Sequence, residues 1–138
     1  MERLRNESLA LAKSQTVSSL ATVEDGKPWG RVMAHAQVDD DFSIWYATFS
    51  FSHKVRQLKK NNEICVTMNE EGKDIRIFGK AEILEDTPTK HKMWKDIWSR
   101  YFKEGKDDPT YVLIKVNAER VEYRDFDRYG IMPVEVKF

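Results

Sequence analysis

Residues 16–38 read TVSSLATVEDGKPWGRVMAHAQV, and their pattern decides the fold. Thr16 to Val23 alternate with period two and are rich in Thr, Val and Ser, which predicts a strand. Asp25-Gly26 sits at the centre of a turn, where glycine supplies the positive φ that a tight hairpin needs. Trp29 to Val38 is then the returning strand. Gly30, Val32, Ala34, Ala36 and Val38 form one small apolar face suited to a core. Trp29, Arg31, Met33, His35 and Gln37 form the other, whose large side chains with polar ends are built to meet a ligand or a subunit partner.

Working outward, the same punctuation recurs. Asp39 to Asp41 make a turn, and Phe42 to Thr48 make a third strand with aromatic and β-branched content. Ser52 is a natural helix N-cap, and Val55 with Leu58 anchors a short helix that stops at Asn61-Asn62. Ile64–Met68 and Ile75–Leu84 form another hairpin, in which Gly79 predicts a bulge or a close approach. Residues 2–13 place Leu4, Ser8, Leu11 and Ala12 at helical spacing. Residues 88–103 read as the clearest helix, with Thr87 as cap, Pro88 at the first position and Gly105 as stop. Its stripe of Met93, Trp94, Ile97, Trp98, Tyr101 and Phe102 reads first as core or dimer interface. Tyr111–Val116 and Arg120–Phe126 read as two more strands, and the last dozen residues as a tail or edge strand. Six or seven antiparallel strands in so short a chain predict a mainly β architecture, a closed or partly closed barrel with flanking helices.

Composition narrows the function. The chain has 138 residues, 12% of them aromatic, which predicts one folded domain over 1–138. Lys plus Arg and Asp plus Glu number 23 each, so there is no cationic surplus to displace phosphate counterions and nucleic acid is not an expected partner. A net charge of zero also leaves self-association unopposed. No apolar run is long enough to span a bilayer. The polar N-terminus does not read as a targeting peptide. Cys65 is the only cysteine, expected as a buried strand residue, and the reducing cytoplasm is the expected compartment.

The chemistry concentrates where the third strand enters the short helix. A helix N-terminus offers unpaired amides and the positive end of its dipole, a setting for phosphate. Ser50, Ser52, His53 and Lys54 add hydroxyls, an imidazole and a cation there, and Arg31 can supply a bidentate fork. An ordinary capped helix with exposed basic residues is the competing reading. His35, His53 and His91 lie on three elements with no metal-ligand spacing, so no metal site is expected. Cys65 and the serines show no nucleophile pairing, there is no Gly-rich phosphate loop, and Glu70, Glu71 and Asp74 read as solvated hairpin acids.

The order of these motifs resembles a family. SLATVEDGKPWG (19–30), a strand with Arg31 and Met33, FSIWYAT (42–48), the Ser-His-Lys-Val helix entrance and MWKDIWSRYFKEGKDDPTYVLIKVNAERVEYRDF (93–126) follow one another as in the pyridoxamine 5′-phosphate oxidase-like split-barrel flavoproteins, general-stress-protein branch. The likeness spans about residues 7–126.

That resemblance implies a homodimer with two FMN molecules in clefts between subunits. It implies that Ser52, His53 and Lys54 hold the phosphate with Arg31 assisting. Arg31, Val32 and Met33 would run beside the ring and ribityl chain, with Ala47 and Thr48 on the neighbouring strand. The partner's stretch around Met68 and 76–78 would close the cleft, and Trp98 would approach the ring. It implies a small FMN-dependent oxidoreductase whose substrate and electron donor the sequence leaves open. A flavin- or haem-binding module without turnover (His35 or His53 as axial ligand), a deazaflavin cleft and a cofactor-free dimeric interaction protein are the alternatives. Arg124 stands where this branch often carries Trp. The long C-terminal extension of the true oxidases is missing, so pyridoxamine phosphate is not the expected substrate.

Overall fold

The computed structural model describes residues 2–138. Helix α1 (Glu2–Ser14) buries Leu4, Ser8, Leu11 and Ala12 against the barrel, as the helical spacing predicts. Strands β1 (Val17–Glu24) and β2 (Lys27–Ala34) form the expected hairpin, with Asp25 and Gly26 at φ 53° and 74° in a two-residue turn. The short β3 (Gln37–Val38) and β4 (Ile44–Phe49) follow, then α2 (His53–Lys60). Next come β5 (Glu63–Glu70), β6 (Lys73–Leu84), α3 (Thr87–Met93), β7 (Tyr111–Asp125), α4 (Phe126–Tyr129) and β8 (Val134–Val136).

The strands form one antiparallel sheet in the order β2-β1-β5-β6-β7-β4-β3, with β8 on β7. The two ends of that order, β2 and β3, are neighbours in the chain, so the sheet curls round until it nearly meets itself. His35 N–H donates to Thr16 O on one side (3.2 Å), and Ala36 N–H donates to Trp45 O on the other (2.6 Å). This is the mainly β, barrel-like architecture expected. The interior is packed by Leu20, Tyr46, Val66, Ile77, Ile114 and Val121, all fully buried. No helix among the described residues is long and apolar enough to cross a membrane.

Five local expectations need correction. The last two strands are one: β7 runs without interruption, and its register on β6 shifts between Phe78↔Arg120 and Gly79↔Ala118. Gly79 explains the continuity, because a Cβ there would lie 2.0 Å from Asn117 O. Glycine lets the backbones approach and absorbs the bulge within the ladder.

The long helix is also interrupted. It is capped by Asp86, whose carboxylate accepts from Thr89 N–H (3.0 Å), and not by Thr87. It stops at Met93, Trp94 and Lys95 are extended, and a 3₁₀ turn covers Asp96–Arg100. The aromatic stripe itself breaks it. Trp94, Trp98 and Phe102 all pack on the single ring of Tyr111, at centroid separations of 5.3, 5.9 and 5.1 Å. A straight helix would spread positions eight apart over about 12 Å, too far for one ring to meet all three.

The faces of β2 are inverted relative to the expectation. Met33 and Arg31 pair with Ser18 and Leu20, which point inward, whereas Val32 pairs with Ser19 and is 70% exposed. Directly opposed residues share a face. The polar-tipped face is therefore interior, because β2 borders the place where the barrel opens. Cys65 pairs with Ala21 on the same outer side of the sheet and is half-buried, not core.

Candidate functional site

The opening lies between β2, β4 and the 94–102 segment. It is a cleft of about 360 Å³, within the usual range for small-molecule sites. Met33 and Ala36 form one side, Ala47 and Thr48 the floor, and Trp98 and Tyr101 the opposite wall. Lys54 enters beside Arg31, and Lys95 enters where it bonds Ala36 O, five positions further along the chain. None of the cleft's lining residues is acidic.

The Lys54 end is built from α2. Ser52 occupies the N-cap position, yet its hydroxyl makes no cap bond and is buried without any hydrogen-bond partner. Arg31 reaches inward from β2 and donates only to neutral groups: Leu20 O (3.1 Å), Thr22 Oγ1 (3.0 Å) and Gln57 Oε1 (3.0 Å). Thr22 donates to the same Gln57 oxygen at 2.6 Å, while Gln57 Nε2 is buried and unpartnered. Lys54 is half-buried, and burial first, then the nearby Arg31 charge, pulls its ammonium below the usual lysine value. Among the described residues neither cation has a carboxylate within ion-pair distance. Two desolvated cations, an orphaned hydroxyl and a helix N-terminus together make a site that lacks an anion.

The predicted site residues divide as follows. Met33, Ala47, Thr48, Lys54 and Trp98 line the cleft, and Arg31 and Ser52 adjoin Lys54 at its end. His53 turns away: its Nε2 meets the Glu24 carboxylate at 3.0 Å and its ring packs edge-on against Trp29. Val32 faces the outside. Met68 is packed into the core and borders a second hollow of about 360 Å³ between β5, β6 and the 131–133 loop. In that hollow Asp74 and Arg124 pair at 2.7 Å, and Arg76 lies 3.7 Å from Glu122 with its Nε making no hydrogen bond. Sequence reading missed Gln57 and Lys95. Gln57 lies between Arg56 and Leu58 with no local signal, and Lys95 reaches the cleft only because the helix breaks before it.

His35 also borders the cleft, with both ring nitrogens engaged: Nδ1 faces Ser18 Oγ (3.1 Å) and Nε2 faces Gln15 O (2.7 Å). A carbonyl only accepts, so Nε2 carries the proton and Nδ1 accepts from Ser18. Neither nitrogen is free for an axial metal bond.

A family model described as pyridoxamine 5′-phosphate oxidase matches residues 4–125, nearly the whole barrel. The chain belongs to the pyridoxamine 5′-phosphate oxidase family. General stress protein 26 of Bacillus subtilis (strain 168) is 30% identical over 110 residues, 76% of each chain. The solved structure of a protein related to general stress protein 26, from Clostridium acetobutylicum, superposes with a TM-score of 0.85 at 28% identity, covering 100% of this chain and 96% of that one. The fold is shared more distantly with a pyridoxamine 5′-phosphate oxidase-related, FMN binding protein from Nostoc punctiforme PCC 73102 (TM-score 0.75, 14% identity, 93% of this chain and 85% of that one). It is also shared with a FAD-binding protein from Mesorhizobium loti (TM-score 0.69, 18% identity, 86% and 92%).

Proposed function

We propose that the protein binds FMN in this cleft and acts as a small flavin-dependent oxidoreductase of the cytoplasm. The observation that carries the reading is the uncompensated end of the cleft, where Ser52 Oγ is buried without a partner beside the paired cations Arg31 and Lys54. A terminal phosphate supplies what that end lacks, an acceptor for the hydroxyl and the helix amides and a counter-charge for both cations. The rest of the cleft, aromatic on one wall and small on its floor, suits a flat ring system. The family, and structural neighbours described as FMN- and FAD-binding, support the same choice.

The bound flavin would supply the electron chemistry, and the protein binding, orientation and electrostatics. Arg31 and Lys54 would fix the phosphate, with Gln57 and Thr22 holding the guanidinium in place. Met33 and Trp98 would border the ring and keep water from it.

We further propose a homodimer formed through the outer face of β1, β2 and β5. None of the outward Val17, Ser19, Ala21, Val32, Cys65 and Thr67 is charged, and Val17 and Val32 are exposed. Glu63, at the end of β5, carries the face's one charge among these strands and faces Lys80 of β6 at 3.9 Å, and a sheet face so poor in charge is suited to a second subunit. An absorption spectrum of the purified protein, before and after excess FMN and desalting, tests the cofactor. Retained flavin bands support the reading, and a colourless protein that releases all added FMN overturns it.

A further inference from the structure

We propose that Lys95 is the residue that sets the electron affinity of the bound ring, placing a positive charge beside the edge that becomes negative on reduction. This rests on the FMN reading above and adds to it a role for the opposite end of the cleft.

The chain is shaped to deliver this ammonium. Helix α3 ends at Met93, and Trp94 and Lys95 adopt extended backbone angles before the 3₁₀ turn begins. From there Lys95 Nζ crosses to Ala36 O, 59 positions away in sequence, and donates at 2.6 Å. That carbonyl belongs to the link between β2 and β3, whose residues form the cleft wall beyond Met33. The bond uses one N–H, and among the described residues no carboxylate pairs with the ammonium. Asp96, next in the chain, accepts from Trp94 Nε1 (3.1 Å), and Asp39, three positions past Ala36, accepts from Trp45 Nε1 (2.8 Å). Burial lowers the pKa of the neighbouring His35, the Gln15 carbonyl bond raises it, and the Lys95 charge lowers it further. Among the described residues that line the cleft, Lys95 is thus the one cation besides Lys54, with N–H donors to spare.

Arg31 and Ala36 are five positions apart along β2 and its extension, about 16 Å at strand rise. A flavin whose phosphate occupies the Lys54 end extends its ring toward Lys95. The polar edge of the ring, with its N1 and C2 carbonyl acceptors, suits the ammonium better than the methylated edge does. Transfer of hydride from a donor of the reduced-nicotinamide class adds two electrons and one proton to the ring, and the donor leaves as its pyridinium. The reduced ring then carries one more negative charge, delocalised over N1 and the C2 carbonyl. A cation at that edge favours the reduced form over the oxidised one. It also favours the anionic adduct that sulfite forms with an oxidised flavin, which gives a second readout.

The test uses FMN-loaded wild type, Lys95→Met and Lys95→Arg. Sulfite affinity is read from loss of flavin absorbance, and midpoint potential from equilibration with a reference dye. The expected result is that Lys95→Met retains FMN but binds sulfite at least tenfold more weakly. Its potential should fall in step, tenfold corresponding to about 30 mV for a two-electron couple. Lys95→Arg should restore both. Unchanged sulfite affinity and potential in a Lys95→Met protein that holds FMN overturns the assignment while leaving the FMN reading intact. Weakened FMN retention with an unchanged potential in the loaded fraction also overturns it and makes Lys95 a tether. Wild type that takes up no FMN overturns both readings.

Discussion

The hydroxyls of Ser18 and Tyr46 meet at 2.6 Å inside the barrel, where the curled sheet closes. Tyr46 is fully buried, and burial pushes its phenol up to about 12, so it remains a protonated donor across the physiological range. The chain of bonds runs one way: Tyr46 donates to Ser18, Ser18 to His35 Nδ1, and His35 Nε2–H to Gln15 O. It ties β4, β1, the β2–β3 link and the end of α1 with every member satisfied. Tyr46→Phe removes the first donor and leaves the buried Ser18 oxygen half-served. The expected loss is about 1–3 kcal/mol in urea unfolding at neutral pH, the cost of an unmet buried polar group. A change near zero would show that the closure is held by packing alone.

The same network makes stability depend on pH. Burial, then the charge of Lys95, lowers the folded-state pKa of His35 below its usual 6.5. Between that lowered value and 6.5 the unfolded chain binds more protons than the folded one, so stability rises with pH through this window. His35 therefore contributes stability that is whole above 6.5 and is lost as pH falls toward the folded value. Protonation would also force Ser18 to stop donating to Nδ1. His35→Gln should flatten this part of the profile of unfolding free energy against pH, and an unchanged slope would remove His35 as its source.

Gly79→Ala should cost about 1–3 kcal/mol or more, because the added methyl would lie 2.0 Å from a backbone oxygen of β7 that cannot swing away. Thermal unfolding by circular dichroism reads it. Gly30→Ala, where a Cβ meets nothing within 4 Å, is the control and should be close to neutral.

The strands and turns were legible because period-two alternation and Asp25-Gly26 are local signals. Residues 2–13 were equally plain, since Leu4, Ser8, Leu11 and Ala12 mark one face of one helix. The errors fall where a distant partner overrides local pattern. Tyr111 gathers Trp94, Trp98 and Phe102 and breaks a helix that those residues alone would build. Gly79, across the sheet, makes Tyr111–Asp125 one strand. Val32 looks like core until pairing with β1 shows that its face is outside. At the site, Ser52, Lys54 and Arg31 carried visible chemistry. Gln57 did not, because its role is to hold Arg31 through a contact 26 positions away.

Val32→Glu tests the proposed dimer. Val32 is 70% exposed, so in an isolated subunit a carboxylate there stays in water and should change stability little. In a dimer joined through this face it would be desolvated without a partner, at a cost of several kcal/mol. The expected outcome is a shift to monomer by sedimentation velocity at micromolar concentration, with the folded circular dichroism spectrum kept. A variant that remains dimeric would move the interface to another face.

Lys54→Met separates binding from stability, because the two should move in opposite directions. Without an anion, Lys54 is a half-buried ammonium beside Arg31, and burial and that neighbour both disfavour its charge. Replacing it with an apolar side chain of similar length relieves that burden, so the ligand-free protein should melt at a higher temperature. With FMN present the same change removes a charged hydrogen bond to the phosphate. Affinity by flavin fluorescence titration should fall by about 1.5–3 kcal/mol, roughly 10- to 150-fold in Kd. Ser52→Ala should weaken binding less while leaving the melting temperature of the free protein level or raised, since the hydroxyl it removes has no partner there. If Lys54→Met lowered the free protein's melting temperature and left FMN affinity unchanged, Lys54 would be a structural residue of α2, and the phosphate would have to be held elsewhere.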